Sequence, residues 1–274
     1  MTNNNIHSQL LNKVKKGTKL VGVSVGSGIS AVNASKNNAD LILFLSSGIF
    51  RNRGVSSLGA YLAASNSNDL NLSIFDRDIA TKKIDPPIIF GLMATDPTIN
   101  IENFISCLKD RGIFGINNYP TVGLIDGTFR QNLEETGMGY DTEVEMIRKA
   151  HELDMFTAPY VFDEEQAKDM ANAGADMLVA HMGLTTKGSI GAKTALTLDD
   201  CVERIQKIVE AGKSVNENVL VICHGGPIAE PDDAEYIISK VDGIVGFFGA
   251  SSIERFAAEN GIKKQTEAFK KIVK

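Results

Sequence analysis

His181 and His224 close two apolar runs of similar pattern, VAHMG at 179–183 and VICHGG at 221–226. An imidazole titrates near neutrality, so histidines at two matching strand ends suit general acid–base work on one shared ligand. The plainer role for each ring is a hydrogen bond to a neighbouring carbonyl. Gly225 and Gly226 follow the second histidine, and the next run, GIVGFFGASSIER at 243–255, turns at Gly249, Ser251 and Ser252. Glycines let a backbone approach a ligand closely, and a helix N-terminus beyond the turn offers unpaired N–H groups. The two turns together predict a cup for phosphoryl oxygens, although Ser251 with Glu254 also fits a simple capping box.

Further polar residues fall at positions predicted as loops. Asn117 and Asn118 precede Tyr119-Pro120, where amides either polarise a carbonyl or serve the turn. Arg51 in SSGIFRNRG and Arg130 in DGTFR have the forked guanidinium that clamps a carboxylate or phosphate. Glu143 and Asp96 are the carboxylates positioned to act as base, and Asp96 is also the candidate metal ligand. Magnesium held by one carboxylate and substrate oxygens leaves no sequence pattern, so Mg2+ stays open as a cofactor. The GSGISA run at 26–31 has dinucleotide-like spacing, but no acidic residue ends the following strand. Gly26 and Ser27 are better assigned to the lining of a binding pocket.

Eight apolar runs must carry these residues: 20–26, 41–47, 88–94, 112–120, 155–162, 176–183, 219–226 and 243–250. Runs apolar on both faces and separated by helical patterns predict parallel strands covered on both sides. Thr197 with Asp200 opens a helix that stops at Gly212, Asp163 with Gln166 opens one that closes near Gly174, and Pro231 sits in a first helical turn. Residues 99–111 give a further amphipathic helix ending at Gly112. The order predicts a single (β/α)8 TIM barrel, one domain over 1–274. An N-terminal helix or tail covers 1–17, the barrel 18–260, and an extra C-terminal helix 261–274. Insertions at 48–87, with a helix near 55–65, and at 119–141 fall where functional loops gather, and the glycines of the second suit a lid.

Composition narrows the partners. The chain has 274 residues, 43% hydrophobic and 23% charged, with a net charge of −6 and no basic tract, which argues against nucleic acid. Its three cysteines form no CxxC, which fits a reducing cytoplasm rather than a disulfide framework. No apolar run reaches the ~18 residues that would cross a membrane. The expected partner is a small anionic substrate, and the exposed helices of a barrel favour a homo-oligomer.

The segments GVSVGSGISA, LILFLSSGIFR, NNYP at 117–120, GTFR at 127–130, TGMGY at 136–140, HGGP at 224–227 and GASS at 249–252 carry a resemblance. Over roughly 10 to 270 the chain resembles the phosphoenolpyruvate hydrolase-like TIM-barrel family, also described as signal-transduction barrels similar to indole-glycerol-phosphate synthase. The C-terminal half of a plant antiviral resistance protein is similar too. The resemblance implies a phosphoenolpyruvate- or phosphonopyruvate-like keto-acid, cleaved by hydrolysis or lysis, and the residues read above would then supply histidine as acid–base and the glycine turns as the phosphate cup. The competing expectation is a non-catalytic ligand-sensing or protein-binding barrel.

Overall fold

The computed structural model describes residues 3–272. Its strands are β1 (Leu20–Val25), β2 (Leu41–Phe44), β3 (Ile88–Gly91), β4 (Gly115–Asn117), β5 (Phe156–Thr157), β6 (Tyr160–Val161), β7 (Met177–His181), β8 (Leu220–His224) and β9 (Ile244–Gly249). All pair in parallel, in the order β5-β4-β3-β2-β1-β9-β8-β7-β6. The two ends of that order belong to one barrel strand, split at Ala158-Pro159. Ala158 N–H donates to Ile116 O (2.9 Å), and Val179 N–H donates to Pro159 O (2.8 Å). The ring therefore closes as eight barrel strands, each within one of the eight predicted apolar runs, and the fold is a TIM barrel.

Alternation along each strand sorts the core into two layers. Leu20, Leu41, Leu43, Ile89, Phe156, Val179, Leu220, Ile222 and Phe248 fill the interior. Val23, Ile42, Phe90, Ile116, Leu178 and Val221 face the surrounding helices. The first helix, α1 (Asn3–Lys15), buries Ile6 and Leu10 in the interior cluster and so stoppers one end of the ring.

The covering helices are α2 (Gly28–Lys36), α5 (Ile101–Asp110), α7 (Tyr140–Glu152), α8 (Glu164–Asn172), α9 (Leu198–Val215) and α10 (Pro231–Lys240), while α11 (Glu254–Ile272) buries only its first turn. Thr197 and Asp200 form the predicted capping box of α9, Asp163 caps α8, and Pro231 occupies the first turn of α10. α9 runs three residues beyond Gly212, because that glycine is packed against Leu178 inside the helix rather than ending it.

The insertions differ from expectation. No α-helix forms near 55–65: Gly54 takes φ +75° and Ser56 caps only a 3-10 turn at Ser57–Tyr61. The insertion's helices are instead α3 (Ser46–Asn52), which starts directly at the end of β2, and α4 (Ser67–Ile74). The second insertion folds as a 3-10 turn at Val122–Leu124 and α6 (Gly127–Glu135). The C-terminal helix is no separate addition, since α11 is one continuous helix from Glu254.

A candidate active site at the barrel mouth

β7 and β8 are in register, with His181 opposite His224, so inward alternation delivers both rings to the C-terminal end of the barrel. Their centroids lie 4.6 Å apart, edge to face, and both are buried. Tyr160, one residue beyond the split in the fifth barrel strand, packs 4.9 Å from His181 and 5.2 Å from His224. The hydrogen bonds separate the two imidazoles. Nδ1 of His181 accepts from Gly183 N–H (3.0 Å), which leaves the proton of the neutral ring on Nε2. Nδ1 of His224 lies 2.7 Å from Phe248 O, which can only accept, so this ring carries its proton on Nδ1 and a lone pair on Nε2. Burial, with His224 nearby, holds His181 well below the usual imidazole value. Burial lowers His224 to about 4, although the bond to Phe248 opposes it. At neutral pH the pair is uncharged, one ring a donor and the other a base.

The rings line a small cavity of about 40 Å³, walled by Ser47, Tyr61, Tyr119, Tyr160, Thr185 and Ser251 among others. That is room for a few water molecules. The 3-10 turn at Ser57–Tyr61 and residues Gly183–Thr185 complete the wall. Arg51 reaches it from α3. Its Nε donates to Glu254 Oε2 (3.0 Å), Nη1 to Ser47 Oγ (3.2 Å) and Nη2 to Ser24 O (3.1 Å). Glu254 also accepts from Gly26 N–H (2.8 Å) and from Asn52. The Arg51–Glu254 pair is buried at both ends, so the guanidinium expected as a free anion clamp is already neutralised. The expected Ser251–Glu254 capping box is not formed, because Glu254 points to these partners instead.

Gly26 contributes through that N–H bond and through close packing. A methyl group on Gly26 or Gly48 would overlap the backbone of the other, so the turns after β1 and β2 cross at glycine. Ser27 is the N-cap of α2 rather than part of the cavity wall.

The phosphate cup is only half supported. Gly225 and Gly226 adopt positive φ, but Gly226 N–H is spent on Gly183 O (2.7 Å). The start of α10 is capped by its own acids, with Asp233 accepting from Ala229 and Glu230 N–H, which repels an anion there. The turn from Gly249 to Ser252 is more open. Among the described residues, the N–H groups of Ser251 and Ser252 make no hydrogen bond.

Asn117, Asn118 and Glu143 lie behind Tyr160 rather than in the cavity. Asn117 donates to Ala158 O (2.7 Å), while Asn118 donates to Tyr160 O (3.2 Å) and accepts from Tyr160 N–H (2.6 Å). The amides replace ladder bonds where Pro159 interrupts the strand. Glu143 receives Asn118 (2.6 Å), Thr121 Oγ1 (2.7 Å) and Val122 N–H (2.7 Å), and burial pushes its carboxyl up to about 8 against these donors. Arg130 also stands outside, bonded to Glu134 and Val122 O with its guanidinium over the Tyr140 ring.

Asp96 does not fit as a metal ligand. Against the desolvation of burial, Thr98, Asn66 and Asn68 hold its carboxyl below the usual value and occupy both oxygens. Among the described residues, no three His, Cys, Asp or Glu side chains converge on a point that could hold a metal ion. No helix there is long and apolar enough to cross a membrane.

Sequence reasoning missed Tyr61, Tyr119 and Tyr160, Ser47, and the role of Glu254. Tyr119 falls within NNYP, but Tyr61 and Tyr160 carry no motif, and only placement near a strand end could have suggested Tyr160.

The chain itself has known relatives. Two Solanum lycopersicum proteins, ToMV susceptible protein tm-1(GCR26) and ToMV resistance protein Tm-1(GCR237), are 44% and 43% identical over 97% of this chain. The chain spans only 35% of the length of each. Among solved structures, 2,3-dimethylmalate lyase, a PEP mutase/isocitrate lyase superfamily member, matches with a TM-score of 0.60. It covers all of this chain and 88% of its own at 14% identity, a likeness of fold. The family model described as phosphoenolpyruvate hydrolase-like matches residues 5–272, and with a closed eight-stranded barrel carrying HGGP and GASS at its mouth, the chain belongs to that family.

Proposed function

We propose that the chain is an enzyme for a small phosphoenolpyruvate- or phosphonopyruvate-like keto-acid, which it cleaves by hydrolysis or lysis. The observation that carries this reading is the pair of contacting imidazoles with opposite tautomers. His224 Nε2 accepts a proton from water or a substrate hydroxyl, and His181 Nε2–H donates to the developing oxyanion. Ser47 and Ser251, with the open N–H groups of Ser251 and Ser252, offer donors to the carboxylate or phosphoryl oxygens. A bound anion favours the charged form of a nearby imidazole, so it moves His224 up from about 4 toward a useful base strength. A substrate of this size requires Ser57–Tyr61 or Gly183–Thr185 to give way.

A ligand-sensing role is the second reading. It is favoured by the neutralised Arg51 and the small resting cavity. Thermal-shift measurements with pyruvate, phosphoenolpyruvate and phosphonopyruvate, each with and without magnesium, separate the two when paired with phosphorus NMR of turnover. Stabilisation with turnover that falls ~100-fold or more in His224→Ala supports the enzyme. Stabilisation without turnover selects the sensor, and an unaltered rate in His224→Ala removes the proposed base.

A further inference from the structure

The cavity between the two imidazoles carries donors that nothing in the described chain satisfies. Tyr160 Oη, Thr185 Oγ1 and Ser251 Oγ make no hydrogen bond among the described residues, and all three residues line the cavity. They are 1%, 6% and 5% exposed, so bulk water does not serve them either. A buried hydroxyl without a partner is costly, and three around one small cavity point to a ligand that bonds them. The Ser251 N–H and the Nε2–H of His181 are also free among the described residues.

Arg51, which lines the same cavity, adds one more donor. Its Nε and Nη2 are taken by Glu254 and Ser24, while Nη1, with two protons, donates only to Ser47 Oγ among the described residues. Of the ring nitrogens, only Nε2 of His224 is left to accept. Such a lining asks for a ligand made largely of acceptor oxygens, an oxyanion.

Charge and size say which oxyanion. Arg51 is balanced by Glu254, both imidazoles are neutral, and burial keeps the Tyr61, Tyr119 and Tyr160 phenols protonated. Arg204, a further cation felt by His181, has its Nε on Phe162 O and does not line the cavity. One negative charge can share the Arg51 guanidinium with Glu254 and be held by the free donors. A second would enter a low-dielectric space without a counter-charge, which is strongly unfavourable. The cavity of about 40 Å³ holds about three or four heavy atoms, a carboxylate and its neighbouring carbon rather than a whole phosphorylated acid.

We propose, resting on the keto-acid reading above, that the chamber takes one singly charged carboxylate, the carboxyl end of a 2-oxo acid, and excludes phosphoryl groups. The hydroxyls of Tyr160, Thr185 and Ser251 and the free Nη1–H of Arg51 hold the carboxylate oxygens. His181 Nε2–H meets the 2-oxo group, and His224 Nε2 stays open as the base.

Isothermal titration calorimetry of the full chain at pH 7 with pyruvate, acetate and inorganic phosphate tests this. Pyruvate is expected to bind at least tenfold more tightly than phosphate, and more tightly than acetate, which lacks the 2-oxo oxygen. Tyr160→Phe and Thr185→Val each remove one hydroxyl and are expected to weaken pyruvate about tenfold. Their urea midpoints are expected unchanged or raised, since neither hydroxyl has a partner in the described chain; a purely structural role would lower the midpoint and leave the affinity alone. Ser251→Ala repeats the test should either variant fail to fold by circular dichroism. Absence of pyruvate binding, equal affinity for phosphate or acetate, or unaltered pyruvate affinity in the folded variants overturns the subsite. Turnover of phosphonopyruvate, followed by phosphorus NMR, separates this from the enzyme reading. Turnover that pyruvate does not inhibit removes the subsite and keeps the enzyme, whereas pyruvate binding without turnover keeps the subsite and removes the enzyme.

Discussion

Glu254 and Arg51 meet across most of the chain's length, and each is buried with the other as its charge partner. Removing one member of such a pair leaves an uncompensated buried charge, which costs about 3–5 kcal/mol. Glu254→Gln is therefore expected to lose about 3 kcal/mol in urea unfolding, and Glu254→Gln/Arg51→Met is expected to recover part of it. Recovery of nothing would mean that the Gly26 and Asn52 contacts matter more than the charge. At this scale the two histidines were legible, because strand-end placement alone directs them to the mouth. Glu254 was not, because its sequence neighbours offered a local cap while its real partners lie on the turn after β1 and in α3. Asn118 and Glu143 have residue types that suit catalysis, and only the break at Pro159 explains why they serve the backbone.

Between strands, the point of interest is the split fifth position of the ring. Asn118 holds both backbone polar groups of Tyr160, and Tyr140 Oη donates to the same carbonyl (2.6 Å). Asn118→Ala leaves a buried N–H without its acceptor and takes one donor from Glu143, a loss of about 2–3 kcal/mol. Hydrogen exchange at the Tyr160 amide is expected to accelerate more than at Val179; equal acceleration would point to global loosening instead. All eight runs were legible as strands because hydrophobic runs between helix caps have a direct physical meaning. The helices at 46–52 and 67–74 were not, because serine- and asparagine-rich segments take their form from tertiary contacts. Ser67 bonds Ser46 (2.7 Å), and Asn71 bonds Gly91 O (3.0 Å).

For the molecule as a whole, the buried titratable groups predict a stability curve. The imidazoles of His181 and His224 are depressed, so the unfolded chain takes up their protons first and stability falls as pH drops from 6.5 through about 4. Glu143 is raised, so its contribution is complete below about 4.5 and is lost as pH rises through about 8. Two groups against one place the maximum near pH 6.5, to be measured by urea unfolding from pH 4 to 9. Glu143→Gln should flatten the alkaline limb and leave the acid limb intact; an unchanged alkaline limb would show that Glu143 is ionised throughout.

Glu254 is also the first residue of α11 and, among the described residues, the only carboxylate holding Arg51. The root of that rod is held by buried Glu254, Arg255 and Phe256, and Glu254 is the member that reaches Arg51 at the rim of the histidine chamber. Whatever grips the terminal helix therefore has a mechanical line to the guanidinium.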